Sequence, residues 1–185
     1  MPLPDRMISC DDSQPINRNI VQGEYASSDD PRCCFTTILG SCVSVCLYDE
    51  EARIGGMNHF LLPDGASSAM DEVRFGLHAM ELLINDLFKG GASRSSLSAK
   101  LFGGASMMAG LSDVGARNVD FAKRFLKDEG FQITASETGG SLGRRLRFWP
   151  VSARAQMRYI RPNDVDHNLA LPRAQAEPKS EIELF

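Results

Sequence analysis

Two residues in the first third of the chain have types that do covalent chemistry as a pair. Cys42 follows a Gly-Ser step in the run LGSCVSVCLY (39–48), and His59 lies in IGGMNHFLLP (54–63). The thiolate is the reactive form of cysteine, and an unperturbed thiol is mostly protonated at neutral pH. An imidazole within reach takes that proton and later delivers it to a leaving amine. A third group commonly orients the imidazole, and the hydroxyls of Thr36 and Thr37 and the amide of Asn58 are all near enough in sequence. Gly40 and Ser41 suit a tight turn whose backbone N–H groups can face an oxyanion. Ser41 and Asn58 are the expected substrate contacts.

For Cys42 and His59 to meet, the segments carrying them must pair. Residues 43–48 (VSVCLY) alternate apolar with small or polar types, the pattern of a strand with one buried face. After the charged turn DEEAR, the run IGGMNHFLLP reads as a second strand, and its Gly-Gly suits a bulge. A hairpin turning on Glu50-Glu51 pairs Asp49 with Ala52 and places His59 directly opposite Cys42. Cross-strand Cβ atoms are then about 4.5–5.5 Å apart, close enough for a thiol–imidazole hydrogen bond. The plain alternative is that Cys42 is a small core residue, the commonest fate of a free cysteine. Cys46, further along the same strand, is assigned to packing.

Beyond the hairpin, residues 68–89 form the clearest helix, with Val73, Leu77, Met80, Ile84 and Leu87 at three- and four-residue spacing. Ser68 and Asp71 resemble an N-cap, and Gly90-Gly91 form a stop. SAKLFGGAS is a short strand entering a glycine turn that could floor the site. NVDFAKRFLKDEG is a second amphipathic helix, FQITASE a strand, and LRFWPV with QMRYI two closing strands. The expected fold is α+β, a mixed, sandwich-like arrangement of mostly antiparallel strands with two main helices on the sheet. One domain spans 21–161, between a flexible arm (1–20) and a flexible C-terminal tail (162–185).

The totals narrow the function classes. The net charge of −4 gives no basic face for nucleic acid. No apolar run reaches the ~20 residues of a membrane span, and the acidic, Pro-containing N-terminus does not read as an export signal. The expected compartment is the cytoplasm, where disulfides are disfavoured. The five cysteines (Cys10, Cys33, Cys34, Cys42, Cys46) and three histidines (His59, His78, His167) lack zinc-ligand spacing, so no metal is expected. GGSLGR (139–144) lacks the strand-then-helix setting of a nucleotide loop. Arg117, Arg144 and Arg145 read as solvated surface cations or as contacts to acidic groups of a partner.

Several stretches together resemble the CheD family of chemoreceptor glutamine deamidases. They are GEY (23–25), TTILGSCVSVCLYD (36–49), GGMNHFLLP (55–63), KLFGGA (100–105), GARN (115–118) and GGSLGRR (139–145). The resemblance covers about residues 21–160. It implies hydrolysis of glutamine side-chain amides on methyl-accepting chemotaxis receptors, giving glutamate and ammonia, with no cofactor. It also implies an α/β sandwich-like fold, distantly similar to deamidating toxin domains. The family's nucleophile falls on Cys42, its histidine on His59 and its threonine on Thr36, leaving the adjacent Thr37 as the competing assignment. The implied substrate is the receptor's cytoplasmic helices, and some members have a regulatory partner, the phosphatase CheC. A non-catalytic regulatory module of the same pathway is the alternative function, and a cysteine protease a third. Trp149 and both tails depart from the family's usual pattern.

Overall fold

The computed structural model describes residues 14–63, 69–106 and 114–161, with the backbone alone for 69–73. Nine strands and two helices occur among them, in the order β1 (Ile16–Asn19), β2 (Tyr25–Ser28), β3 (Cys33–Leu39), β4 (Val43–Asp49), β5 (Ile54–Asn58), α1 (Ala69–Lys89), β6 (Ser98–Gly103), α2 (Val114–Asp128), β7 (Gln132–Thr138), β8 (Arg144–Trp149) and β9 (Arg154–Tyr159). They build two sheets, β1-β3-β8-β9 and β2-β5-β4-β6-β7. Five of the seven strand pairings are antiparallel; β1 with β3 and β6 with β7 are parallel.

Both helices pack on the five-stranded sheet, so the molecule has three layers and two cores. Val43, Val45 and Leu47 of β4 face the helices, meeting Met80, Leu83, Ile84 and Leu87 of α1 and Val119, Phe121, Phe125 and Leu126 of α2. Each fully buried side chain of that size contributes about 1.5–3 kcal/mol relative to exposure. The alternate residues Cys46 and Tyr48 face the other sheet, against Phe35, Leu39, Leu146 and Phe148. The alternation in β4 therefore marks two buried faces rather than one: every residue from Val43 to Asp49 is buried. Burial pushes the Cys46 thiol far above its usual range, as expected of an inert core cysteine.

The α+β architecture expected from the sequence is present, with local corrections. β1 lies within the stretch read as a flexible arm. Its four residues are all exposed and it is held by backbone pairing to β3, so it carries no hydrophobic period to read. Neither β2 nor β3 is among the expected strands. α2 begins at Val114, upstream of the NVDFAKRF pattern. The Gly55-Gly56 pair holds no bulge: Gly56 faces Leu47 and Gly55 faces Tyr48 in regular register. Those glycines permit close approach instead, since a Cβ on Gly55 would come 2.6 Å from the Pro150 carbonyl oxygen. The Ser68 cap and the residues of the C-terminal tail from 162 onward lie outside the described residues, as does the arm up to residue 13.

Candidate active site at the seam between the sheets

The chain passes from the four-stranded sheet to the five-stranded one twice, at the same end of the sandwich. Residues 40–42 link β3 of the four-stranded sheet to β4 of the five-stranded one, and residues 20–24 link β1 to β2 in the same sense. Cys42 sits on the first crossover, half-buried against the inter-sheet core. His59 follows β5 directly and is buried.

The hairpin of β4 and β5 forms, in a register two residues away from the expected one. Asp49 pairs with Ile54 and Cys46 with Met57, and an isolated bridge joins Val43 to Phe60. The connection is wider because Asp49 Oδ1 accepts from the N–H groups of both Glu51 and Ala52, at 3.0 Å each, closing a longer turn. A shift of two preserves the strand face. Cys42 and His59 therefore still point into the same inter-sheet space, as diagonal rather than direct neighbours, a relation with Cα atoms about 7–8 Å apart.

The imidazole is fixed from the opposite sheet. Thr37 on β3 donates its hydroxyl hydrogen to the Ile20 carbonyl at 2.7 Å. Its oxygen lies 2.9 Å from His59 Nδ1, and the Ile20 carbonyl oxygen 3.3 Å from the same nitrogen. Because the only hydroxyl hydrogen is committed to Ile20, Nδ1 must carry the proton and donate, which leaves Nε2 with a free lone pair. Nε2 is buried and has no hydrogen-bond partner among the described residues. Burial lowers the His59 pKa, so the ring rests neutral with its basic nitrogen available.

Thr36 occupies the other face of β3. It is half-buried, and its hydroxyl makes a single long contact, 3.5 Å, to Asn19 Oδ1. The hydroxyl that meets His59 is thus that of Thr37, the assignment that spacing left open and the family pattern did not choose. The parity that decides it is set by Phe35 and Leu39, core residues sharing the face of Thr37. Asn58 also points away from Cys42, into the helix-side core. Its Oδ1 accepts from Val45 N–H at 3.0 Å, and its Nδ2 lies 3.3 Å from the Ala79 carbonyl and 3.2 Å from Met80 Sδ. It completes the sheet ladder where the strands separate, and the structure does not bring it to the thiol.

The crossover carrying Cys42 is clamped from below and from the side. Gly104 N–H donates to the Cys42 carbonyl and Ala105 N–H to the Gly40 carbonyl, both at 2.8 Å. Gly103 takes φ +115, and a Cβ there would overlap the Cys42 carbonyl oxygen. The FGGA turn does floor this segment. Fully buried Asn118 of α2 donates from Nδ2 to the Ser41 carbonyl at 3.0 Å and accepts from Leu62 N–H at 2.8 Å, tying the turn before Cys42 to the segment beyond His59. Arg144, read from sequence as a surface cation, is buried and donates to the carbonyls of Gly103, Glu137 and Gly139.

The thiol itself is turned to a residue that sequence reasoning does not single out. Cys42 Sγ donates to Gln22 Oε1 at 3.2 Å, not to His59. Burial raises the Cys42 pKa, so thiol and imidazole both rest uncharged. Gln22 gives no signal in sequence, because its place follows from a sheet-to-sheet crossover rather than from any period. Cys33, Cys34, Cys42 and Cys46 are free thiols. Among the described residues no cluster of three or more His, Cys, Asp or Glu side chains could hold a metal ion, and no helix is long and apolar enough to cross a membrane.

Known proteins resemble this chain over most of its length. The family model described as "CheD chemotactic sensory transduction" matches residues 61–159. A protein of Ruegeria sp. (strain TM1040) named "Probable chemoreceptor glutamine deamidase CheD 1" is 49% identical over 86% of this chain and 87% of its own. A "Probable chemoreceptor glutamine deamidase CheD" from Caulobacter vibrioides (strain NA1000 / CB15N) is 44% identical over 95% of this chain and 96% of its own. One of the same name from Rhizobium leguminosarum bv. trifolii (strain WSM2304) is 49% identical over 89% and 91%. Among solved structures, the Bacillus licheniformis hypothetical protein YfiH overlays with a TM-score of 0.42 at 12% identity, over 68% of this chain and 61% of its own, too remote to carry an argument.

Proposed function

Because this chain belongs to the CheD family, we propose that it is a chemoreceptor glutamine deamidase whose nucleophile is Cys42 and whose proton carrier is His59. The observation that carries this reading is the tautomer. Thr37 and the Ile20 carbonyl hold the proton on Nδ1, and the unpartnered Nε2 is left as a base in the same inter-sheet space as the thiol.

The steps follow from the two uncharged groups. As a receptor glutamine enters, the Cys42 proton passes to His59 Nε2 and the sulfur attacks the amide carbon. Backbone N–H groups of the turn through Ser41 and Cys42 face the oxyanion. The imidazolium returns the proton to nitrogen, the C–N bond breaks and ammonia leaves a thioester. Water, deprotonated by His59, hydrolyses that thioester to glutamate and regenerates the thiol. Burial favours this neutral starting pair over a preformed thiolate–imidazolium pair, so the thiol is activated when substrate binds. No metal or cofactor takes part.

The substrate is the cytoplasmic helical region of methyl-accepting chemotaxis receptors, and the protein works in the cytoplasm. Where a CheC-type phosphatase is present, it is the regulatory partner this reading implies. The test is incubation with receptor cytoplasmic fragments, following ammonia release and the amide-to-acid mass change at glutamine. Deamidation that persists in Cys42→Ala would sink the proposal.

A further inference from the structure

The group that Cys42 touches is a glutamine carboxamide, the same functional group the proposed reaction hydrolyses. The thiol donates to Gln22 Oε1 at 3.2 Å. With a carbonyl bond of about 1.23 Å, the amide carbon of Gln22 lies no further than about 4.4 Å from the sulfur. Attack distances are about 3–3.5 Å, so a small side-chain rotation closes the gap.

The loop bearing Gln22 is held in place by the segment that carries the base. Gly23 N–H donates to the His59 carbonyl at 2.7 Å, and His59 N–H donates to the Glu24 carbonyl at 2.9 Å. Within the loop, Glu24 N–H donates to the Val21 carbonyl at 3.0 Å, and Val21 N–H to the Glu24 carboxylate at 3.1 Å. Two independent crossovers thus bring a nucleophile and an amide together, and the residue carrying the base bonds the loop from both sides. Tethering of this kind makes the encounter intramolecular, with effective concentrations far above any receptor's.

We infer that Gln22 is an internal substrate of Cys42 and is converted to glutamate by the enzyme's own machinery. The inference rests on the deamidase reading above. The Cys42 proton moves to His59 Nε2, and sulfur bonds to the Gln22 side-chain carbon. The C–N bond then breaks, nitrogen takes the proton from His59 and leaves as ammonia. Water hydrolyses the intramolecular thioester, giving a carboxylate at position 22 and a free thiol. The product adds a negative charge beside the sulfur, which holds the thiol proton more tightly and gives the matured enzyme a different resting state from the nascent chain.

The test is peptide mass spectrometry of the full-length purified protein, with fragment ions locating each deamidated residue. Wild type is expected to carry glutamate at position 22 fully, or to convert one equivalent with time, while Cys42→Ala and the near-isosteric Cys42→Ser retain Gln22. Gln132 and Gln156, on other strands, stay amides in all three. Wild type is assayed in parallel on receptor fragments. An enzyme that deamidates receptor while Gln22 stays intact overturns this inference alone, as does equal conversion at position 22 in the Cys42 variants. An enzyme inactive on both receptor and Gln22 overturns the deamidase reading, and this inference with it.

Discussion

Replacing Thr37 by valine keeps the shape of the side chain and removes one hydroxyl that makes two bonds, to the Ile20 carbonyl at 2.7 Å and to His59 Nδ1 at 2.9 Å. The Ile20 carbonyl, 3.3 Å from Nδ1, then becomes the ring's sole acceptor, so the tautomer survives while the orientation loosens. One net hydrogen bond is worth about 0.5–1.5 kcal/mol, which corresponds to roughly a two- to tenfold loss in kcat. Losing an acceptor for Nδ1–H also disfavours the imidazolium, so the acid limb of the pH profile moves to lower pH. A purely structural role would not move it. Thr36→Val removes only the 3.5 Å contact to Asn19 and costs less than about twofold. Steady-state deamidation of a receptor fragment by both variants across the acid and alkaline limbs is the assay. The reasoning fails if Thr36→Val loses more activity than Thr37→Val, or if the acid limb of Thr37→Val stays where wild type has it.

Other outcomes are expected as well. In wild type, burial depresses the His59 pKa, so activity persists as pH falls through about 6.5, the ordinary histidine value, and declines only below it. The same burial raises the Cys42 pKa, so iodoacetamide alkylation of Cys42 develops at higher pH than for an exposed thiol; a lower midpoint contradicts the neutral pair. Gly103→Ala forces a side chain onto φ +115 against the Cys42 carbonyl, costing about 1–3 kcal/mol, and calorimetry should show a fall in melting temperature together with altered Cys42 alkylation. Arg144→Met strips hydrogen bonds from the carbonyls of Gly103, Glu137 and Gly139. At about 0.5–1.5 kcal/mol for each hydrogen bond lost, it should destabilise more than Arg154→Met, whose guanidinium lies over the Trp149 ring on the largely exposed strand β9, as read by denaturant midpoints.

The hairpin was legible because its strands carry a period of two, and the proposed nucleophile and base because they lie at its open end. What spacing could not supply was the turn. Asp49 caps two N–H groups and widens it, and only because the resulting slip is even do Cys42 and His59 still share a face. Thr37 is hidden for a related reason. β3 has no strand pattern plain enough to set which of two adjacent threonines faces inward, and the core positions of Phe35 and Leu39 settle it. β1 and Gln22 depend on backbone pairing and on a crossover between sheets, neither of which leaves a trace in side-chain periodicity.

His59 belongs to the five-stranded sheet and its hydroxyl partner to the four-stranded one. Every ladder bond is internal to one sheet or the other, so when the sheets slide the ladders ride along unstretched. The bond from Nδ1 to Thr37 spans the boundary, as do those from Arg144 of β8 to the carbonyls of Gly103 and Glu137. Of these, the bond to Thr37 is the one that touches the imidazole, so a small shear between the layers would change the proton affinity of His59. The layers are thus coupled to the imidazole at a point that does not involve the thiol.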